Sequence, residues 1–189
     1  MLKDFKKQEL ISAEILFKTK NLAINAVLIL SFAILTGISA GLKVEIGPVP
    51  ITMQTFVVLL SGVLLGSKRG AISQFSYLLG GLAGIPWFSR GGGSAYVLSP
   101  TFGYIVGFIC SAYLIGVLTE KNWNKNIVET ILVVLTSTIV LYIPGLLWLC
   151  KFVGASKVLA VGFYPFILGD ALKIFLISSI LFSKQKIRL

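Results

Sequence analysis

Asp170 and Lys173 are the residues of this chain whose types and spacing best equip it for chemistry. They lie three positions apart in FYPFILGDALKIF, residues 163–175, inside an apolar run that ends at Phe182. On a helix, side chains three apart share a face, with about 5–6 Å between Cβ atoms. Each charge costs roughly 2.5–3.5 kcal/mol at a bilayer centre on translocon-derived scales. Side by side, an acid and an amine offset one another and keep hydrogen-bonding capacity in reserve. Asp accepts and Lys donates, so the pair suits a small polar molecule presenting both kinds of group. A structural ion pair pinning this helix to its neighbours is the alternative. Ionisable groups within a membrane span are functional by default, which favours the first reading.

Composition shows what surrounds the pair. The 189 residues are 56% hydrophobic and 13% charged, with mean hydropathy +0.93. A soluble domain carries about 25% charged residues; this chain reads as an all-α, multi-pass membrane protein in which nearly every residue serves the membrane. The net charge of +10 is then a topology signal rather than a nucleic-acid footprint.

Several chemistries drop out. Without His, Ser and Cys triads lack their base, and the His-containing zinc sites of membrane metalloproteases are excluded. Asp170 is the one acid inside an apolar run, so a two-aspartate protease site is incomplete. Cys110 and Cys150 read as small buried hydrophobes, not a disulfide framework. No GxxxxGK[ST] occurs, so the polypeptide does not hydrolyse ATP itself. Neither an enzyme activity nor a cofactor or metal is expected.

Residues 1–20 mix lysines with Leu, Ile and Phe and read as a short interfacial or cytoplasmic segment. The membrane domain, 21–183, divides into six spans, followed by a basic tail, 184–189. The first span is Asn21 to Gly41, where Ala33, Gly37 and Gly41 form a small-xxx-small stripe open to a partner helix, internal or from another subunit. Lys43 to Thr52 is a loop held extended by Pro48 and Pro50. A short second span, about 53–66, carries Gln54 at membrane depth. Ser67 to Gly70 is a basic turn, and the third span, 71–88, carries Gln74, Ser76 and Tyr77. The loop PWFSRGGGSAYVLSP, 86–100, places Arg90 beside Trp87 and Phe88. It lacks the strand and soluble helix of a phosphate cradle and is expected to fold inward, with Arg90 facing an anionic ligand. The remaining spans are 101–118, 127–149 (holding Pro144 and Gly145) and about 165–182.

Six spans put both termini on one side. That side collects Lys3, Lys6, Lys7, Lys18, Lys20, Lys68, Arg69, Lys121, Lys125, Lys184, Lys186 and Arg188, against Lys43, Arg90, Lys151 and Lys157 on the other. The bias makes both termini cytoplasmic. The proline loop, the Arg90 loop and the start of the sixth span then face outward. Asp170 lies roughly 8 Å and Lys173 roughly 12 Å below Pro165 at helical rise, in a pocket open to the outside and sealed beneath by apolar side chains.

Four stretches carry a resemblance: VPITMQTFVVLLSGVLLG at 49–66, YLLGGLAGIPWFSRGGG at 77–93, SPTFGYIVGF at 99–108 and GFYPFILGDALK at 162–173. Together, in that order, they resemble the BioY proteins, biotin-specific substrate-capture subunits of energy-coupling-factor transporters. The resemblance implies a six-helix bundle in a prokaryotic cell membrane that binds biotin from outside. It also implies a transmembrane coupling protein and two cytoplasmic ATPases as partners. Asp170 and Lys173 match the family's last-helix pair within GDxxK, and Arg90 fits its loop arginine. The family's polar residue on the third helix falls on Gln74, Ser76 or Tyr77. WFSR departs from the aliphatic residues commoner before the glycines, leaving Trp87 a candidate for packing the ligand together with Phe88 and Tyr77. The stripe of Ala33, Gly37 and Gly41 resembles the surface such subunits offer the coupling protein. The chemistry agrees: Asp170 can accept from a ureido N–H, Lys173 can donate to its carbonyl, and Arg90 can pair with the acid tail. The rival function is a self-sufficient transporter in which Asp170 carries a proton; no inverted repeat between 21–88 and 100–182 supports it.

Overall fold

A computed structural model describes the backbone of residues 21–188 and the side chains of 21–182. The expected N-terminal segment lies outside the described residues. Among these residues, six helices of 12 or more residues form the bundle: α1 Leu22–Gly41, α2 Gln54–Leu65, α3 Ser67–Leu82, α4 Phe102–Glu120, α5 Ile127–Val153 and α6 Ile167–Arg188. Single helical turns at Ser94–Leu98, Val158–Gly162 and Tyr164–Phe166 fill the connections. The helix α1, the helices α4 and α5, and the stretch Val158–Phe182 are long and apolar enough to cross a membrane.

Local chemistry sets the helix ends. The Asn21 side chain accepts from the Ala23 and Ile24 amides at the start of α1, satisfying donors a helix leaves open. Asn126 does the same for the Glu129 amide, and the Glu129 carboxylate returns to the Lys125 amide, a capping box in all but name. Ser67 to Gly70, expected as a turn, is instead the first turn of α3. Gly66 alone reverses the chain, at φ +83, and Glu120 from α4 accepts from the Ser67 amide and hydroxyl. The third span accordingly begins earlier than expected and stops at Leu82. Residues 83–88 leave the helix at Gly84, φ +110, ahead of Pro86.

The α4 helix is the centre of the bundle, packing on α2, α3 and α5. It can do so because its contact faces are glycine. A Cβ at Gly103 would stand 2.4 Å from the Pro144 carbonyl oxygen and one at Gly107 2.2 Å from that of Leu141. One turn on, the Ser111 hydroxyl donates to the Ser137 carbonyl. Small residues at four-residue spacing let helix backbones approach in this way. On the other side, a Cβ at Gly62 of α2 would stand 2.3 Å from the Ala112 carbonyl oxygen.

Two apolar clusters follow. One gathers Val58, Tyr77, Tyr104, Phe108, Leu141, Tyr142 and Phe166; the other gathers Leu59, Val63, Ile115, Val134, Ile177 and Leu181. The α2 helix, 12 residues, is roughly 18 Å long at 1.5 Å per residue, against roughly 30 Å for the hydrocarbon core. Irregular chain at 42–53 and 83–101 follows or precedes the short helices. Part of it is a two-stranded ribbon, β1 Lys43–Val44 against β2 Ile51–Thr52, with Lys43 opposite Thr52. The extended course expected of the proline loop is realised as this ribbon. Non-helical backbone at membrane depth is tolerated where it is buried in protein or lines a cavity. Here it does both.

Candidate functional site

A cavity of about 40 Å³ lies among the first cluster, the ribbon and the 86–101 loop. Its apolar wall includes Val49, Pro50, Ile105, Phe108, Leu141 and Phe166. Its polar wall comes from Thr52, Gln54, Thr55, Ser89, Tyr96, Thr101, Tyr142 and Lys173. That is the usual make-up of a small-molecule site: mostly apolar, with a few placed polar groups.

The sequence-derived pair is assembled at this wall. Asp170 and Lys173 are 7% and 5% exposed, and Lys173 Nζ lies 3.2 Å from Asp170 Oδ1. The other two ammonium hydrogens go to the Thr52 carbonyl and the Thr55 hydroxyl, both at 2.8 Å. All three donors of the ammonium therefore have partners within the protein. The second carboxylate oxygen accepts a short hydrogen bond from the Tyr142 hydroxyl. Lys173 and Tyr142 face the cavity while Asp170 stands behind and holds both. Because the Tyr142 proton points to Asp170, its oxygen presents lone pairs as an acceptor. Tyr142 was not legible beforehand: it is an aromatic within an apolar run, and only the packing of α5 on α6 brings it to Asp170.

The other expected site residues fall elsewhere. Arg90 is turned away from the cavity. Its guanidinium donates to Glu45 Oε2 at 2.6 Å and to the Gly47 and Pro48 carbonyls at 2.8 and 3.2 Å. Lys43 pairs with the same carboxylate at 2.8 Å and donates to the Ser89 carbonyl at 2.5 Å. Two cations from either side hold the Glu45 carboxyl well below its usual 4.5, at about 2, Arg90 contributing most. These contacts clasp the ribbon to the 86–101 loop. The triple glycine serves this loop: Gly91 and Gly93 take φ +112 and +100, and a Cβ at Gly92 would stand 2.3 Å from the Ile85 carbonyl oxygen.

Gln74 is fully buried away from the cavity, bonded to Thr36, Ser61 and Ser73. Ser76 bonds back to the Ile72 carbonyl of its own helix. Tyr77, also fully buried, supports the wall from behind: its hydroxyl accepts from Gln54 Nε2 at 2.6 Å and donates to the Trp87 carbonyl at 3.2 Å. The residue that does reach the cavity is Gln54, visible in the sequence as an amide at membrane depth. Trp87 packs away from the cavity, its indole donating to the Tyr77 carbonyl, in a notch made by Gly37 and Gly80. Of the small-residue stripe, Ala33 is buried and a Cβ at Gly37 would stand 2.8 Å from Trp87 Cβ. Those two positions therefore serve contacts within the fold. Gly41 alone of the three is exposed. Among the described residues no group of His, Cys, Asp and Glu suits a metal ion.

Comparison with known proteins converges on one group. The profile of the BioY family matches residues 8–188. A probable biotin transporter BioY of Pyrococcus horikoshii is 39% identical over 147 residues, 77% of this chain and 86% of that protein. The biotin transporter BioY of Thermotoga maritima is 37% identical over 149 residues, 76% and 85% of the two chains. Among solved structures, the S-component for biotin from an ECF-type ABC transporter is similar with a TM-score of 0.76 at 28% identity, over 89% of this chain and 94% of that one.

Proposed function

The chain belongs to the BioY family, and on that premise we propose that it binds biotin and takes it up across the cell membrane as the substrate-specific subunit of an energy-coupling-factor transporter. The family is one of transporters, not of enzymes, and the apolar helices make the chain a membrane protein. The observation that carries the ligand reading is the pair Lys173 and Tyr142 on the cavity wall, held from behind by the buried Asp170. Biotin's cyclic urea has two N–H donors and one carbonyl. Lys173 reaches that carbonyl by turning one ammonium hydrogen away from the Thr55 hydroxyl, and a ring N–H finds an acceptor in the oxygen of Tyr142, while Asp170 holds both groups from behind. The apolar wall takes the thioether ring and the methylene chain.

Placement in the membrane follows from charge. With both termini in the cytoplasm of a prokaryotic cell, the clasped loops lie outside and cover the pocket. The partners are a transmembrane coupling protein and two ATPases, since this chain has no phosphate-binding loop of its own. The deciding experiment is calorimetric titration of the purified chain in detergent with biotin. Saturable one-to-one binding is expected; heats no larger than those of dilution would overturn the reading.

A further inference from the structure

The turn between α4 and α5 lies at the end of the bundle away from the pocket. Thr101, on the cavity wall, immediately precedes α4, and 19 residues of helix carry the chain roughly 28 Å from there. Residues 121–126 then reverse it into α5.

The backbone of this turn is fixed at both ends. Asn122 takes φ +56. Its amide donates to the Thr119 carbonyl at 3.1 Å, and the Trp123 amide donates to the Leu118 carbonyl at 3.0 Å. This is the Schellman arrangement, in which a left-handed residue closes a helix C-terminus. At the other end the Lys125 amide donates to Glu129, and Asn126 caps α5. Between them Asn124 is buried, and its carbonyl accepts from the Thr130 hydroxyl at 3.2 Å.

An apolar residue at the end of a Schellman motif commonly packs back on the helix. Here that residue is Trp123, and it is 59% exposed. Lys121 and Lys125 on either side of it are exposed as well. A third lysine joins them through α3. Glu120 accepts from the Ser67 amide and hydroxyl at 2.7 and 2.8 Å, and the exposed Lys68 follows Ser67. Both acids of this region are spent on capping: Glu120 on Ser67, Glu129 on the Lys125 amide and the Asn126 side chain. Among the described residues, neither pairs with a lysine ammonium. Lys68, Arg69, Lys121 and Lys125 against Glu120 and Glu129 leave a local charge of +2.

The adjoining surface sets the depth. Ile127, Val128, Ile131 and Leu132 are all exposed at the start of α5, a helix long and apolar enough to cross a membrane. That apolar face begins one residue after the turn. Trp123 therefore stands where hydrocarbon gives way to headgroups, the level at which indoles collect, with lysines that attract anionic lipid around it.

We infer that Lys68, Lys121, Trp123 and Lys125 form a binding surface for anionic phospholipid headgroups. The ammonium groups take the phosphate, and the indole lies at the boundary of headgroup and acyl chain. The inference needs only that the chain spans a bilayer, and it stands whether or not the pocket holds biotin.

The test is tryptophan fluorescence of the full chain in phosphatidylcholine vesicles, with a brominated lipid as quencher. Subtracting the spectrum of Trp123→Phe isolates Trp123 from Trp87 and Trp148. Half-maximal quenching of Trp123 is expected at a mole fraction of brominated phosphatidylglycerol about fivefold or more below that of brominated phosphatidylcholine, the worth of one lysine near an anionic surface. Replacing Lys68, Lys121 and Lys125 together by Gln should bring that ratio below about twofold. Lys151→Gln with Lys157→Gln, on the connection between α5 and α6, should leave it unchanged. In the unaltered chain, salt at about 1 M shortens the Debye length to about 3 Å and should abolish the preference, a check that does not depend on the triple variant folding. Equal quenching by the two lipids, or a preference that survives both salt and the triple replacement, overturns the inference. Trp123 quenched by neither lipid overturns it too, and leaves the turn to a protein partner.

Discussion

At the residue scale, Asp170 is tied to two groups that face the pocket, so its removal acts through both. Asp170→Asn leaves the Lys173 ammonium buried with one charged partner fewer and frees the Tyr142 hydroxyl to turn. Breaking a buried pair from one side costs about 3–5 kcal/mol, so biotin affinity is expected to fall by about a hundredfold or more. Lys173→Met should do as much, because it strands the carboxylate. Tyr142→Phe removes one neutral contact and should cost about tenfold. Calorimetry on the three variants checks the order; a Tyr142→Phe loss as deep as that of Asp170→Asn would make the phenol, not the charge, the centre of the site. The acid and amine were legible because charge within an apolar run is conspicuous. Tyr142, Tyr96 and Thr101 were not, because hydroxyls and aromatics at membrane depth are compatible with plain packing. The partner of Arg90 was hidden for a related reason: a cation near glycines suggests an anion, and Glu45, 45 positions away, is invisible as that anion until the ribbon folds. Its carboxyl lies well below the ordinary range, near 2. The stability a depressed carboxyl contributes is fully present above its usual 4.5 and is lost progressively as pH falls towards 2, so the clasp is intact at neutral pH and weakens from about 4.5 downward. Biotin release, followed by stopped-flow, should be flat with pH above about 4.5 and quicken below it. Glu45→Gln should quicken release at pH 7; release at the unaltered rate there would show that the clasp does not gate the pocket.

At the scale of elements, close approach of helices carries the architecture, and glycines make it possible. Gly107→Val puts branched carbon where a Cβ alone would stand 2.2 Å from the Leu141 carbonyl oxygen. The α4 and α5 helices must then part, taking Tyr142 away from Asp170. Loss of a cooperative melt, together with loss of binding, is expected; a folded variant that binds biotin normally would mean that this contact tolerates slippage. Gly37 behaves as an internal position too. Gly37→Leu displaces Trp87, which anchors Tyr77 and through it Gln54 at the cavity, so binding and uptake should fall together. A variant that binds fully yet fails in uptake would instead assign Gly37 to partner docking. The spans were readable from hydropathy alone to within a few residues for α1, α4 and α5. The α2–α3 corner was not, because its reversal depends on one positive-φ glycine and on a carboxylate delivered by Glu120 of a helix more than fifty residues on. Ser67 to Gly70, polar and basic, has the composition of a turn and becomes helix only once that cap is supplied.

At the scale of the whole molecule, one end of the bundle holds the pocket and the other is closed by the cluster of Leu59, Val63, Ile115, Val134, Ile177 and Leu181. A ligand held at the first end meets this apolar cluster on its way to the second. Passage therefore needs a rearrangement larger than a side-chain gate, and the sequence carries no GxxxxGK[ST] motif to drive it. That points to energy delivered from outside the chain. The two energy sources separate cleanly in one experiment. In proteoliposomes holding the chain alone, biotin should bind without accumulating. With the coupling protein and ATPases present, accumulation should follow internal ATP and persist when an uncoupler collapses the proton gradient. Uptake by the chain alone that stops with the gradient while ATP stays high would transfer the work to Asp170 and make the protein a proton-coupled carrier. The apolar cluster favours the first result, since a carrier cycling alone would have to hydrate Leu59, Val63, Ile115, Val134, Ile177 and Leu181 on each turn.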